Sequence, residues 1–319
     1  MGYDRAPTGD QMFSTLLGPL PADPADIDDA DDAVGVDDGA SDASQRRIDD
    51  VAALESTGLE LVSDGGEPAN PTAEASSVVA RWAAAADAAG GPVKAVLIGP
   101  WSATRADGSD PEAAAEHLRG IVSALAAAGC PFIEIAEPDA GVIAADPSAA
   151  ERFGAAHRRL IDGNEGVHCS LTLTGPSVDG VELRHLFDAG YASFAFDLIA
   201  GPDNWRVIAQ APADRGIICG ALGFAPGSDE TREVLVWAAH YAASTSGRGL
   251  ARVGLANAPA PQGVPIARVD ALRKLALVAE ASRLAGVETG ELARHLDRRA
   301  IDPRSVTTGR FAPARRRRS

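Results

Sequence analysis

With 319 residues, 45% of them hydrophobic, the chain is long enough to bury one large core or two small ones. A formal net charge of −16 excludes the basic surface that nucleic-acid binding or attachment to an anionic membrane needs. No apolar run is long enough to span a membrane.

The polar start, Met1–Asp10, has no apolar stretch after it and does not read as a signal peptide. The three cysteines, Cys130, Cys169 and Cys219, are far apart and form no CxxC pair. Reduced thiols in a cytoplasmic protein are the expectation.

Residues 1–11 read as a disordered lead-in. Phe13–Leu20 is the first predicted strand, ending at Gly18-Pro19. Residues 21–42 are almost all Asp, Ala, Pro, Gly and Ser, an acidic insert with too little apolar mass to fold alone. Ser44–Ser56 then reads as a helix with Ile48, Val51, Ala52 and Leu54 on one side.

From there strands and helices alternate. Leu59–Ser63 is a strand, followed by Asp64-Gly65-Gly66-Glu67, and Thr72–Ala89 is an alanine-rich helix. Val93–Ile98 is a strand ending in Gly99-Pro100-Trp101. Asp110-Pro111 starts a helix, with Asp as N-cap and Pro at the first helical position, and it runs to Ala128. The strand Phe132–Ala136 follows, and Asp146-Pro147 opens the next helix by the same device, to Asp162.

The strand Val167–Thr174, a helix near Val181–Ala189 and the strand Ser193–Ile199 come next. Then follow a helix near Asp203–Gln210, the strand Gly216–Leu222, a helix over Asp229–Ser246 and the strand Ala251–Ala256. Long and short helices over Ile266–Ala285 and Thr289–Arg298 close the series. Residues 301–319, ending in Arg315–Arg318, read as a disordered basic tail.

Eight strands, each followed by a helix, imply a parallel sheet. Their span, residues 12–300, is the size of a single (β/α)8 TIM barrel. A doubly wound open sheet is the alternative, but the first turn, Gly18-Pro19-Leu20, lacks the glycine-rich phosphate cradle of that fold. In a barrel all strand-to-helix loops meet on one face, and that face holds the site.

The stretch Pro131–Ala140 is the most informative. Phe132, Ile133 and Ile135 suit a strand buried on both sides, and Pro138 ends its pairing. Glu137 sits at the predicted strand end, either at the mouth or as a surface residue. Glu134 interrupts the apolar run, and a buried carboxylate should be paired, metal-bound or shifted in pKa. Strand alternation puts it on one face with Phe132 and Ala136, inside a barrel.

These loops resemble the catalytic barrel of cobalamin-independent methionine synthase. The resemblance rests on Ile98-Gly99-Pro100, on Ala136-Glu137-Pro138 in place of Asp-Glu-Pro, and on Gly58 to Asp64-Gly65-Gly66-Glu67. Val167-His168-Cys169-Ser170 stands near the family's His-x-Cys strand, and a later helix like Ile266–Ala285 closes the barrel. The likeness covers residues 12–286.

It implies methyl transfer from a methylfolate to a small thiol such as homocysteine, with Zn²⁺ holding the thiolate. The candidate metal ligands are His168, Cys169, Asp197 and Cys219; the resemblance itself places His168 and Asp197 at family positions, and on a regular strand puts the hydroxyl of Ser170, a much poorer zinc ligand, where the family has its cysteine. Glu137 and Asp64 from these motifs, together with Glu134 from the strand pattern, are the candidate catalytic carboxylates. Gly18, Glu67, Gly99 and Trp101 would contact substrate.

The sequence departs from the family at several of these positions. His168 and Cys169 are adjacent, so a regular strand points them to opposite sides unless a β-bulge intervenes. The loop Asn257–Gly263 lacks the family's last cysteine, leaving Cys219 as a spatial substitute, and both cysteines also read as plain core thiols. Asp197 keeps a carboxylate where the family has glutamate. Ala136 and Gly66 stand where the family has acidic residues. Trp101 either stacks on a flat ligand such as a pterin or shields the core.

Three readings therefore stand side by side. One is a single-barrel methyltransferase. The second is a metal-free relative closer in logic to uroporphyrinogen decarboxylase. The third is a barrel that has lost its site and keeps a binding role. Fold alone does not choose among them.

Overall fold

The computed structural model describes residues 11–21, 39–138, 140–164, 166–225, 227–260, 264 and 266–296. Its strands are Phe13–Thr15 (β1), Ala95–Ile98 (β2), Ile133–Glu137 (β3), Cys169–Leu173 (β4), Ser193–Asp197 (β5), Gly216–Leu222 (β6) and Val253–Asn257 (β7). All pair in parallel, in the order β1-β7-β6-β5-β4-β3-β2. The sheet curls into a TIM-barrel-like half-barrel with helices on its outer face.

The helices are Gly39–Ser56 (α1), Ala75–Ala88 (α2), Pro100–Thr104 (α3), Pro111–Ala127 (α4) and Pro147–Ile161 (α5). They continue with Leu183–Phe187 (α6), Asn204–Gln210 (α7), Arg232–Ser244 (α8), Arg268–Ala285 (α9) and Thr289–His295 (α10). The two Asp-Pro starts form as expected. Asp110 accepts from Glu112 N at 3.0 Å, and Asp146 accepts from Ser148 N at 2.9 Å.

Every residue of β3 to β7 is buried, as strands covered on both faces require. Side chains alternate between two cores. Phe13, Leu17, Leu61, Phe132, Ala195, Ile218 and Ala256 pack together on the concave side. Ile133, Ile135, Leu171, Leu173, Phe194, Phe196, Cys219 and Leu255 pack outward against the helices. Register then assigns the remainder: Glu134 lies opposite Ser170, Ala136 opposite Thr172, and Thr172 opposite Ala195, all on the concave side.

The predicted strand Leu59–Ser63 is the main correction. It does not form a continuous eighth strand. Leu61 makes one parallel bridge to Thr15 and Val62 one to Val93, with Lys94 N donating to Val62 O at 2.8 Å. The first strand is also short, three residues against the eight expected, because the chain turns away at Leu16 to enter Gly18-Pro19. Most of the acidic insert (residues 22–38) and the basic tail lie outside the described residues, as does the lead-in through residue 10.

The two outermost strands of the sheet, β1 and β2, therefore face each other across thin backbone pairing. A side chain reinforces that seam. Lys94 Nζ donates to the Leu16 carbonyl, beyond β1, and to Glu134 Oε2 on β3 at 2.5 Å. Lys94 is 2% exposed and Glu134 is 1% exposed.

Removing one partner of such a pair leaves an uncompensated buried charge. Lys94→Met is expected to lower the unfolding free energy by about 3–5 kcal/mol. The double variant Lys94→Met/Glu134→Leu should recover much of that loss. Urea denaturation of the four proteins in the cycle checks both expectations.

Candidate functional site at the mouth of the sheet

The turns after the strand C-termini enclose a cavity of about 830 Å³. Gly18-Pro19, Glu67-Pro68, Thr174-Gly175, Asp197, Phe224 and Ala258–Ala260 form its wall. Glu134, Ala136 and Thr172 form its floor, because they are the last concave-facing positions of β3 and β4. This is the face on which barrels of this type place their chemistry.

Asp197 ends β5 and is 3% exposed. Its Oδ1 accepts from Ile199 N at 2.9 Å and Ala200 N at 2.8 Å, and its Oδ2 from Gly175 N at 3.1 Å. One carboxylate thus folds its own loop and ties it to the loop after β4. Asn204 Nδ2 donates to the Asp197 carbonyl at 2.9 Å and completes the turn. Burial pushes the Asp197 pKa up, and the three N–H groups offset only part of that rise.

Four of the predicted residues meet at this mouth: Gly18, Glu67, Glu134 and Asp197. The others do not. Asp64 is buried in ion pairs, donated to by Arg81 Nη2 at 2.9 Å and lying 3.7 Å from Arg47 Nε. It fastens the Asp64–Glu67 turn to α2 and α1.

Glu137 turns outward, since it is one residue past the concave-facing Ala136. It is wholly buried and accepts from Trp101 N at 2.9 Å and Ser102 N at 2.7 Å, capping α3 with a carboxylate at the positive end of the helix. His157 Nε2 lies 3.1 Å from its Oε1, and His157 Nδ1 lies 2.7 Å from the Tyr191 hydroxyl.

Gly99 belongs to this arrangement. A Cβ there would sit 2.1 Å from Glu137 Oε1, so the glycine lets the carboxylate reach the helix start. Trp101 is 5% exposed and packs edge-on against Phe153 at 6.2 Å, in the helical layer. It shields the core.

The expected zinc ligands do not assemble. His168 lies at the other end of the sheet, before β4, with Ile133 N donating to its carbonyl at 2.9 Å. Its ring stacks on Phe132 at 4.4 Å and its Nε2 lies 2.9 Å from Ser193 Oγ. Ser193 begins β5 and Asp197 ends it, so His168 and Asp197 are separated by roughly 13 Å of strand.

Cys169 and Cys219 face the helices, Cys219 Sγ pointing to Ala238 O on α8. Burial pushes both thiols up to about 12, as for thiols packed in an apolar layer. Among the described residues no group of three or more His, Cys, Asp and Glu is placed to hold a metal ion. The residues present do not fit a thiolate–imidazole zinc centre.

Three residues that matter here escaped the sequence reading, Thr172, Thr174 and Lys94. The pair two apart on one strand face, sought at His168, exists at Thr172 and Thr174, which both line the cavity. Nothing local distinguishes them, because only the register with β3 and β5 shows how far β4 extends. Lys94 did leave a signal: it is one of two lysines in the chain and interrupts an apolar strand.

No family model matches the chain, and no curated protein matches its sequence. Solved structures share its fold. A B12-independent methionine synthase from Shewanella sp. W3-18-1, in complex with selenomethionine, superposes with a TM-score of 0.66 at 12% identity, over 89% of this chain and 99% of that one. A candidate vitamin-B12-independent methionine synthase from Listeria monocytogenes superposes with a TM-score of 0.65 at 13% identity, over 87% and 99%. The parallel, TIM-barrel-like part of the expected scaffold is therefore present, as a fold.

Gly99→Ala should expel the Glu137 carboxylate from its two N–H donors and cost on the order of 3 kcal/mol of stability, measured by urea denaturation. A second outcome concerns pH. The folded Asp197 carboxyl keeps its proton above the ordinary value of 3.8, so its contribution to stability is full below that value and is lost as pH rises through the folded pKa. Melting temperatures across pH 4–7 should show this downward slope in the native chain, and Asp197→Asn should remove it.

Proposed function

We propose that this chain is a metal-free relative of the methionine-synthase-type methyltransferases, with a barrel mouth that takes a small organic molecule. The observation that carries this reading is the donor set of the cavity. Its described lining residues offer carboxylates and hydroxyls, from Glu67, Glu134, Asp197, Thr172 and Thr174, and neither sulfur nor imidazole.

The finer version, methyl transfer from a methylfolate to homocysteine or another small thiol, needs the thiol activated. A thiol is mostly protonated at neutral pH. Zinc-assisted activation has no ligand set here, so no step is drawn through zinc. The groups at hand do other work. Asp197, with its pKa raised by burial, is placed to hold or release a proton at the cavity wall. Glu134, anchored by Lys94, offers an acceptor at the floor.

The decarboxylase-like alternative is not favoured. That logic needs cations around substrate carboxylates, and none of the described lining residues is Lys or Arg. The same absence disfavors the anionic tail of a folate in the mouth.

The test combines metal analysis with ligand-induced melting shifts. Protein purified without chelator should carry far less than one zinc per chain. A panel of small metabolites, homocysteine and a methylfolate included, should contain a compound that raises the melting temperature, and Ala136→Phe, which fills the cavity floor, should abolish that rise. Near-stoichiometric zinc lost on Asp197→Ala overturns the reading.

A further inference from the structure

Two polar atoms at the floor of the mouth have no hydrogen-bond partner, Glu134 Oε1 and Thr172 Oγ1. Both residues are 1% exposed, and both line the cavity. They stand on neighbouring strands, Thr172 two residues beyond the Ser170 that pairs in register with Glu134. That diagonal places the two side chains within reach of one ligand group. Buried polar atoms in native proteins nearly always have partners, so a pair left open toward a large cavity points to something that completes it.

The chemistry of the pair selects what that is. Glu134 Oε2 is held by Lys94 Nζ at 2.5 Å, which leaves Oε1 as an acceptor. Thr172 Oγ1 accepts or donates. Above them the wall is mainly apolar, with Pro19, Ile98, Pro138, Phe224 and Pro259. Its other ionisable groups are the carboxyls of Asp197 and Glu67, with no cation among the described lining residues. An anionic head group entering this space would meet acceptors and like charge.

Building on the small-molecule reading above, we propose that Glu134 and Thr172 form a head-group subsite selecting a hydrogen-bond donor, an alcohol or an ammonium, carried on an apolar body. The subsite starts level with Ala136, at Thr172, and reaches two residues deeper along the sheet at Glu134, below the loop residues of the rim. Lys94 is its positioning residue. It fixes the Glu134 carboxylate and touches no ligand.

The test uses three probes with one six-carbon ring and different heads: cyclohexanol, cyclohexylammonium and cyclohexanecarboxylate. They are titrated into the full chain at roughly 0.15 M salt, which screens the acidic surface. The readout is the amide chemical shifts of Gly175 and Ala200, whose N–H groups bind Asp197 at the cavity wall. The alcohol or the ammonium should bind at least about tenfold more tightly than the carboxylate, and the tighter of the two identifies a neutral or a cationic head.

Thr172→Val, which keeps the side-chain shape, should weaken the preferred probe about tenfold. Glu134→Gln should weaken it as well, but it strips Lys94 of its charge partner and is expected to lower the melting temperature, so Thr172→Val is the deciding variant. A carboxylate that binds as tightly, or a Thr172→Val protein that binds all three probes unchanged, overturns the head-group proposal alone. If none of the probes moves these amides, the small-molecule reading of the mouth falls with it.

Discussion

The ion pair between Lys94 and Glu134 is the interaction on which the sheet's geometry turns. The sheet begins at β1 and ends at β2, and where an eighth strand would join them there are isolated bridges, Leu61 to Thr15 on one side and Val62 to Val93 and Ala69 to Leu97 on the other. Lys94 reaches across that seam to the Leu16 carbonyl while holding Glu134 on β3. Two charges inside a barrel are costly to desolvate, and their attraction repays the cost only with good geometry and further hydrogen bonds. The carbonyl of Leu16 supplies one such bond. The pair links the β1 and β2 sides of the seam and leaves a polar floor beneath the mouth.

That floor follows from strand alternation. Glu134 and Glu137 are three residues apart on β3 and face opposite sides of it. The inward one ends under the cavity. The outward one is buried among helices, where it caps α3 and meets His157. The stretches Ile98-Gly99-Pro100 and Ala136-Glu137-Pro138, on which the sequence resemblance rested, have an architectural role here. A glycine at 99 admits a carboxylate to a helix start, and that contact sets the turn after β2. Acidic residues in such a motif read as chemistry from the sequence, yet here the fold consumes one of them.

Asp197 belongs to both worlds. Its three backbone partners make it the organiser of two mouth loops, and its position on the cavity wall leaves it beside any bound molecule. A carboxylate held by backbone donors, yet pushed toward its neutral form by burial, is a group whose charge a ligand can tip. The scaffold is thus that of the methionine-synthase fold, while the mouth carries oxygen where thiolate–zinc chemistry would need sulfur and nitrogen. A shared fold does not fix the chemistry of its mouth.

Strand and helix alternation, the two Asp-Pro helix starts, and the buried character of the central strands were legible in the residues, because these depend on local propensity and capping. So was Glu134 as a carboxylate with somewhere to go, since its neighbours left no route to water. Depth along a strand was not legible. His168 and Thr172 lie four residues apart on one stretch of chain, and nothing local says which of them is level with Asp197. Hydrogen-bond register between β3, β4 and β5 decides it, placing His168 at the closed end and two threonines at the mouth. Residue type determined which elements form and which groups carry charge; the pairing of distant strands alone determined which of those groups share a cavity.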